Sequence, residues 1–296
     1  MIVRALIAAA AAACISLGAA GTATAAPPDC KGRGVPDSKI SIQLWTFAEY
    51  IGFGTDAATI ERTRDVFEAL RDYGYRNVEP FTLSDLSAEE YRDLLQEYGL
   101  RASSRHVNVG TPTSPADIEQ ILEENRILGI KYFGSGGTPN FATAAEWTAY
   151  AEYLDEVGEQ ARRAGQTLMV HNHNWEFEDV FNGQSAYEIL LENTDPRNVA
   201  FQLDLYWAVR GGADPVELLE TYGNRFQLFH VKDARAGDGR IEIVGRGTID
   251  FAEIFAASRG PARYYVVEHD PRFGDPTFDP FEDTEEGFNY LDCVSF

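Results

Sequence analysis

The chain is poor in basic residues for its size. Its 296 residues include 25 lysines and arginines against 47 aspartates and glutamates, a formal net charge of −22. A nucleic-acid-binding surface needs a dense basic face that neutralises phosphates, so this balance argues against DNA or RNA as a partner. The acidity favours solubility and identifies no substrate.

Long hydrophobic runs are also scarce, and the one that begins the chain is too short and too rich in Ala and Gly for a membrane span. It follows the basic Arg4 and leads to small residues up to Ala26. The pattern predicts a secretory signal peptide over residues 1–26, cleaved near Ala26, and hence a secreted or periplasmic protein. Lipoprotein processing at Cys14 is the alternative, but the Leu usual three residues before a lipidated Cys is missing.

A short unit repeats along the rest of the chain: a helical segment, a glycine, and a strand rich in β-branched and aromatic residues. Examples are EALRDYGYRNVEPF, ARRAGQTLMVHNH and LETYGNRFQLFHVKD. A glycine after a periodic apolar segment is typical of a helix C-cap, and strands that alternate with helices favour a parallel sheet. Eight strands are predicted, over residues 40–45, 75–79, 101–107, 130–134, 166–171, 198–204, 226–230 and 263–268.

Helical patterns occupy the gaps between these strands, at residues 57–73, 87–98, 114–128, 144–164, 184–194, 214–222 and 250–258. Eight strand–helix units predict an α/β fold of one domain, a (β/α)8 TIM barrel over residues 39–270. Residues 27–38 are then an N-terminal extension, and residues 271–296 a C-terminal tail that covers the barrel, with a helix near 281–291. A doubly wound open sheet is the alternative, although no glycine-rich phosphate-binding turn follows the first strand.

Cysteine is scarce as well, with three in the chain. Two of them, Cys30 and Cys293, lie close to the ends of the predicted mature chain. A barrel brings its first and last elements together, and export permits oxidation, so we expect a disulfide worth about 5 kcal/mol or less. The alternative is two unrelated thiols in irregular termini.

All five histidines lie at or near the end of a predicted strand: His106, His171, His173, His230 and His269. Glu79, Asp204 and Glu268 end apolar runs in the same way. The carboxyl ends of barrel strands meet on one face, and that face carries the active site of TIM-barrel enzymes. The pattern therefore predicts one polar site at the mouth of the barrel.

Asp204, His230 and Glu268 end three successive predicted strands. Taken singly, each has an ordinary structural explanation, such as a helix cap or an ion pair. Together they favour a shared site for one divalent cation, Mn, Zn, Co, Mg or Fe, because carboxylates and imidazoles suit these ions. The scarcity of cysteine argues against a structural zinc site built from thiolates.

Several fragments resemble the sugar phosphate isomerase/epimerase family of xylose isomerase-like TIM barrels, which includes ketose 3-epimerases, inosose dehydratase and relatives of endonuclease IV. They are HNHNWEF, QLDLYW followed by GGADP, LFHVKDAR, VGRGTIDF and VVEHD. The resemblance runs from about Ile40 to Asp270. It implies one divalent metal ion, bound by Glu, Asp, His and Glu from successive barrel strands.

Three of these ligands carry over to this chain, as Asp204, His230 and Glu268. The remaining ligand is open, because relatives with ketose epimerase activity carry a Glu on the fifth strand, where this chain has Val170 and His171. The alternatives are Glu176, His171 and His173. Charge favours Glu176, whereas the strand register favours a histidine.

The resemblance also implies a reaction, in which a metal ion polarises a sugar carbonyl and an ene-diolate forms when the neighbouring proton leaves. Candidates for moving that proton are Glu176, Glu268 and His173. Residues expected to bind the sugar are Glu79, His106, His171, Lys232, Arg246 and Trp207.

The predicted function is an exported, metal-dependent isomerase or epimerase of an unphosphorylated keto-sugar or related polyol. A lyase or dehydratase acting on a 3-keto-glycoside or an inosose is the alternative, because it shares the first chemical step. A non-catalytic sugar-binding barrel is the alternative of another class. The sequence does not predict the oligomeric state.

Overall fold

The computed structural model of the chain describes residues 34–54, 56–258, 262–272, 274 and 277–296. The predicted signal peptide and Cys30 lie outside these residues, so the signal peptide and the Cys30–Cys293 disulfide stay predictions. Within the described part, no helix is both long enough and apolar enough to cross a membrane.

Eight parallel strands form a closed barrel. They are β1 Ile40–Gln43, β2 Asn77–Glu79, β3 in two pieces, Arg101–Ala102 and Ser104–His106, β4 Tyr132–Gly134, β5 Thr167–His171, β6 Val199–Asp204, β7 Phe226–Val231 and β8 Tyr264–Val267. Each strand pairs with the next along the chain, and β8 pairs with β1. The predicted TIM barrel is confirmed, and the open sheet is excluded.

The break in β3 lies at Ser103, where the strand changes its partner. The first piece pairs with β2, and the second pairs with β4. The backbone N–H of Ser103 donates to Val78 O at 2.9 Å, so the chain stays attached to β2 while it crosses to β4. This change of partner closes the barrel.

In the described part of the chain, eight longer helices alternate with the strands. They are α1 Ala57–Tyr73, α2 Ala88–Glu97, α3 Ile118–Leu128, α4 Ala144–Arg163, α5 Ala186–Glu192, α6 Pro215–Tyr222, α7 Phe251–Ala257 and α8 Pro280–Cys293. Local sequence explains where they begin. Ser87 forms a capping box with Glu90 at the start of α2, and Asp214 caps α6 in front of Pro215.

Two predicted helices begin later than the sequence indicates. Residues 114–117 do not join α3, because Ser114–Pro115 pairs with Gly110–Thr111 in a short hairpin. Likewise α5 starts after Gln184–Ser185, which pairs with Val180–Phe181. Both hairpins follow strands at the carboxyl face, so they extend the loops there.

The last helix, α8, packs against the barrel next to α1. The Phe288 ring lies 4.9 Å from the Tyr75 ring, and the Tyr75 hydroxyl donates to Thr284 O at 2.9 Å. The packing is close at Gly74, where an added Cβ would lie 2.7 Å from Phe288 Cζ. The segment that the sequence assigns to a covering tail therefore supplies the eighth barrel helix.

Replacing Phe288 with Ala should lower the free energy of unfolding by about 3 kcal/mol, because the change empties a buried site between α8 and α1. Phe296, whose side chain is 52% exposed, provides the matched control. Phe296→Ala should cost less than about 1 kcal/mol, since little apolar area is lost there. Urea unfolding followed by circular dichroism measures both. Equal losses in the two variants would contradict this account of α8.

Candidate metal site and pocket

Three candidate ligands meet at the carboxyl face of the barrel. Asp204 and His230 end β6 and β7 and are register partners, and Glu268 directly follows β8. All three are buried, and one potential ligand atom of each lies within 4.8 Å of the others. Parallel strands that end at the same level place these side chains together.

The facing atoms of this triad have poor hydrogen bonding. His230 Nδ1 lies 2.6 Å from Glu268 Oε2 and 3.8 Å from Asp204 Oδ2. These contacts, and those that Lys232 makes with the two carboxylates, are ion pairs that lack good hydrogen-bond geometry. Buried polar atoms without such partners cost free energy unless something else satisfies them. Two carboxylates and an imidazole form a donor set that suits a divalent transition metal ion.

Glu79, at the end of β2, orients His230. Its carboxylate accepts from four side chains: His230 Nε2 at 2.6 Å, Gln43 and Gln202 at 2.7 Å each, and the Ser104 hydroxyl. Because a carboxylate only accepts, Nε2 of His230 carries a proton, and Nδ1 is the ring atom that faces the other two ligands. Such a bond is typical of metal-binding histidines.

This arrangement corrects the prediction that Glu79 binds substrate. The side chain is fully buried, and it does not line the pocket described below. Burial would raise the pKa of Glu79, but His106 and His230 outweigh that effect and lower it to about 2. Glu79 is therefore an ionised, internal partner of His230.

Lys232 places an ammonium group beside the triad. Its Nζ lies 3.0 Å from Asp204 Oδ2, 2.8 Å from Glu268 Oε2 and 3.2 Å from the Asp270 carboxylate. Burial would lower the pKa of Lys232, but the three carboxylates raise it well above its ordinary value. Lys232 is therefore a fixed positive charge at the bottom of the pocket.

The charges in this region do not balance. Within the described residues, the carboxylates of Glu79, Asp204, Glu268 and Asp270 lie beside Lys232, His230 and His106, and burial lowers the pKa of His106. Burial accordingly raises the pKa of Asp204 to about 6 and raises that of Asp270, despite the nearby lysine. The shortfall of positive charge fits a site that accepts a divalent cation.

A cavity of about 590 Å³ opens above the triad. Its titratable lining includes Lys232, Glu268, Asp270 and the histidines His106, His171 and His173, and its aromatic lining includes Trp45, Phe81 and Trp175. Among the described lining residues, Lys232 is the only lysine or arginine. This volume accommodates a small organic molecule.

Two histidines of the HNH motif, His171 and His173, reach this pocket in the neutral form. Burial lowers the pKa of His171 well below its usual range and that of His173 to about 3. The Nδ1 atoms of both rings are buried and lack a hydrogen-bond partner. The His171 ring lies 4.5 Å from the His230 ring, and ligand atoms of His106, His171 and His230 group within 4.8 Å. His171 is thus the HNH histidine next to the candidate ligands.

Glu176 does not join the candidate ligands. It is fully buried in the short helix Trp175–Glu178, where it accepts from the Thr138 hydroxyl at 2.6 Å and from the backbone N–H of His173 at 2.9 Å. Burial raises its pKa to about 7. Of the alternatives for the fourth ligand, the structure brings His171, and not Glu176, to His230.

Arg246 lies away from the pocket, contrary to its predicted contact with substrate. It is exposed and forms ion pairs with Glu282 and Glu286 of α8. The glycines on either side of it, Gly245 and Gly247, donate their N–H groups to the buried Asp233 carboxylate at 3.0 and 2.9 Å. The glycine-rich loop therefore folds around an internal carboxylate. Trp207 lies at the site, with its ring 5.7 Å from Lys232 Nζ.

Sequence reasoning missed several residues that organise the site. Gln43 and Gln202 hold Glu79, and Asn172 exchanges hydrogen bonds of 3.0 and 3.2 Å with the backbone of Asp204. Gln43 ends β1, so its strand-end position was a usable signal. Thr138 lies in a loop without any pattern, and only the fold reveals its contact with Glu176.

Comparison with known proteins agrees with the fold. Residues 67–291 match the family model described as xylose isomerase-like TIM barrel. The chain is 26% identical over 231 residues to an inosose dehydratase of Geobacillus kaustophilus, covering 64% of this chain and 74% of that protein.

Solved structures are similar as well. A sugar phosphate isomerase/epimerase from Parabacteroides distasonis is 25% identical with a TM-score of 0.69, over 88% of this chain and 96% of that one. The IOLI protein, solved with a zinc atom, is 18% identical with a TM-score of 0.64, over 86% of this chain and 98% of that one, and shows the shared fold.

The triad predicts how stability depends on pH in the metal-free protein. Burial opposes protonation of His230, but Glu268 and Glu79 raise its pKa to about 10. Because the pKa of His230 is higher in the folded state, its protonation stabilises the fold at pH values below the unfolded-state pKa, near 6.5. This contribution is lost as the pH rises towards 10. With chelator present, the free energy of unfolding should fall by on the order of 2 kcal/mol between pH 6.5 and 9.5 in urea titrations.

The same titrations with added Mn²⁺ or Zn²⁺ are the control. A bound metal ion takes the place of the proton on Nδ1, so the fall should be absent or smaller. An identical pH dependence with and without metal would contradict the assignment of Nδ1 as the metal-facing atom.

Proposed function

We propose, because the chain belongs to the xylose isomerase-like TIM barrel family, that it is a divalent-metal-dependent enzyme of carbohydrate chemistry. It moves or removes the proton next to a carbonyl group of an unphosphorylated sugar or cyclic polyol. One observation carries the proposal: Glu268, which groups with the buried Asp204 and His230, lines a pocket that also presents the neutral His173.

Asp204, His230 and Glu268 would hold the metal ion, with His171 as the fourth ligand. His171 is favoured over Glu176 because it lies beside His230 and its buried Nδ1 has no hydrogen bond, whereas both oxygens of Glu176 are occupied. When bound, such an ion supplies Lewis-acid polarisation of a carbonyl oxygen. The identity of the metal is a matter for measurement.

His173 is the base that takes the substrate proton. It lines the pocket, and burial keeps its ring neutral, so a ring nitrogen can accept a proton. Glu268 is the weaker candidate, because its carboxylate already contacts Lys232 and His230. Lys232 contributes a permanent positive charge near the oxygen that becomes negative.

The substrate carries no phosphate. A phosphate site needs cations that are free to bind it, and the only lysine or arginine among the described lining residues, Lys232, is already bound to three carboxylates. The predicted export of the protein supports the same choice, since sugar phosphates are cytoplasmic metabolites. Export through cleavage near Ala26 is part of the proposal.

Two outcomes follow from the first proton transfer. If His173 returns the proton, the product is an isomer or epimer. If a neighbouring hydroxyl group leaves instead and takes the proton that His173 has accepted, the reaction is a dehydration. The similarity to an inosose dehydratase supports this second reaction.

The metal site is tested with the double variant Asp204→Asn/His230→Gln. The protein purified without chelator should contain about one equivalent of Mn, Zn, Co or Fe by plasma mass spectrometry, and the double variant should contain less than a tenth of that. Arg246→Gln is the control, because that side chain lies on the surface and pairs with α8. No metal in the wild-type protein, even after reconstitution, would contradict the proposal.

The role of His173 is tested with His173→Asn, which removes the base and keeps a polar group of similar reach. We expect kcat to fall by about 10²-fold or more while metal content is unchanged. Keto-sugars, inososes and 3-keto-glycosides are incubated in D₂O and followed by NMR. Deuterium in recovered sugar identifies an isomerase or epimerase, and an unsaturated product identifies a dehydratase.

Two results would contradict the proposed function. Activity confined to phosphorylated sugars would exclude the substrate class. Saturable binding without turnover across the whole panel would favour a sugar-binding barrel.

A further inference from the structure

The loop after β5 contains a closed circuit of contacts around His173. The Glu176 carboxylate accepts from the His173 backbone N–H at 2.9 Å and from the Thr138 hydroxyl at 2.6 Å. Thr138 Oγ1 in turn accepts from the Trp175 indole N–H at 3.3 Å. The Trp175 ring stacks on the His173 ring at 4.4 Å and 9°. The circuit thus starts at the His173 backbone and ends on its ring.

The directions of these hydrogen bonds are determined by chemistry. The indole nitrogen can only donate, so Thr138 Oγ1 accepts from it. The Thr138 hydroxyl then donates its own hydrogen bond to Glu176. Both carboxylate oxygens of Glu176 then accept, one from the hydroxyl and one from the backbone. To complete the circuit, the side chain at position 176 must accept from the His173 N–H. It must also hydrogen-bond to Thr138, either as an acceptor or through an amide.

The surroundings hold the His173 ring on its other sides. A Cβ added to Gly137 would lie 2.9 Å from His173 Cε1 and 3.0 Å from Nδ1, so the ring lies directly against the backbone of the loop after β4. The Trp207 ring lies 5.5 Å away, and the His171 ring lies 5.2 Å away and perpendicular. The ring therefore has little freedom to rotate, although its Nδ1 makes no hydrogen bond.

We propose that Glu176 is a positioning residue, which acts through Thr138 and Trp175 to hold the His173 ring in the pocket, and that it is neither a metal ligand nor a base. This inference rests on the proposed function of His173. A reacting group that is displaced by about 1 Å can lose on the order of 10²-fold in rate, so removal of the circuit should act mainly on kcat.

Two matched pairs of variants test the inference. Glu176→Gln can accept from the His173 N–H and donate its amide to Thr138, and Thr138→Ser keeps the hydroxyl, so both should retain kcat within about tenfold. Glu176→Ala and Thr138→Val break the circuit and should lower kcat by about 30-fold or more, with KM changed less than threefold. Metal content should stay at the wild-type level in all four.

Glu178→Gln, an exposed change in the same short helix, is the control and should match the wild type. The double variant Glu176→Ala/Thr138→Val should be no worse than the poorer single variant, because both interrupt one circuit. If Glu176→Gln is as inactive as Glu176→Ala, the ionised carboxylate is needed for chemistry and the inference is wrong. Loss of metal in Glu176→Ala would also overturn it, in favour of a ligand role.

A readout without turnover separates this inference from the proposed function. The chain has four tryptophans, and the indole N–H signal of Trp175 is assigned in a ¹H–¹⁵N spectrum with Trp175→Phe. In Thr138→Val that signal should shift upfield, because it loses its acceptor, and in Glu176→Ala it should shift or broaden. An unmoved signal in Thr138→Val would refute the circuit. Absence of turnover in the wild type, with the expected indole shifts, would refute the proposed function alone.

Discussion

The hydrogen bond between Glu79 and His230 is the interaction on which the site depends. It joins the ends of β2 and β7 across the barrel at 2.6 Å, where neither side chain is exposed to water. Because the Nε2–H group donates to Glu79, the other ring nitrogen must face Asp204 and Glu268. The two glutamines and the serine that bind Glu79 occupy its remaining lone pairs, so the carboxylate has one orientation and imposes one on the imidazole.

The second constraint is electrostatic. Carboxylates from β2, β6 and the end of β8 are buried at the same level of the barrel, and such charges are stable only with cations nearby. Lys232 and a protonated His230 supply such charge. A divalent ion bound by these residues would add to it and would displace the proton of His230. Affinity for metal, protonation and stability would then be linked in this site.

The histidines His171 and His173 occupy different positions in the pocket. His171 ends β5 and lies beside His230, at the level of the triad, whereas His173 lies two residues later, in the loop, stacked on Trp175. Alternation along an extended chain would place both on one side, but β5 ends at His171 and the short helix Trp175–Glu178 redirects the chain. The buried Glu176 stabilises that turn. This explains why the carboxylate of the HNHNWEF motif lies apart from the candidate metal ligands.

Periodicity and strand-end chemistry were enough to predict much of this protein. The repeated helix–glycine–strand unit determined the eight strands and their order, because a parallel barrel is the arrangement that buries eight such strands in one domain. The positions of Asp204, His230 and Glu268 at three successive strand ends placed them together, since register in a barrel brings strand ends to one level. These inferences depend on local sequence patterns and on the topology common to parallel barrels. Both follow from the order of residues in the chain.

Tertiary structure alone decided the partners of each side chain. Glu79 and Glu176 are both acidic residues at carboxyl-face positions, yet one is bound inside the barrel by Gln43 and Gln202, and the other is bound beneath a loop by Thr138. The glycine-rich loop around Arg246 has the sequence of a ligand-binding loop. Its backbone N–H groups instead donate to Asp233, and Arg246 forms ion pairs with α8. Such choices depend on distances between segments far apart in the chain. Composition and spacing determine which groups are available, whereas the three-dimensional packing determines which of them meet.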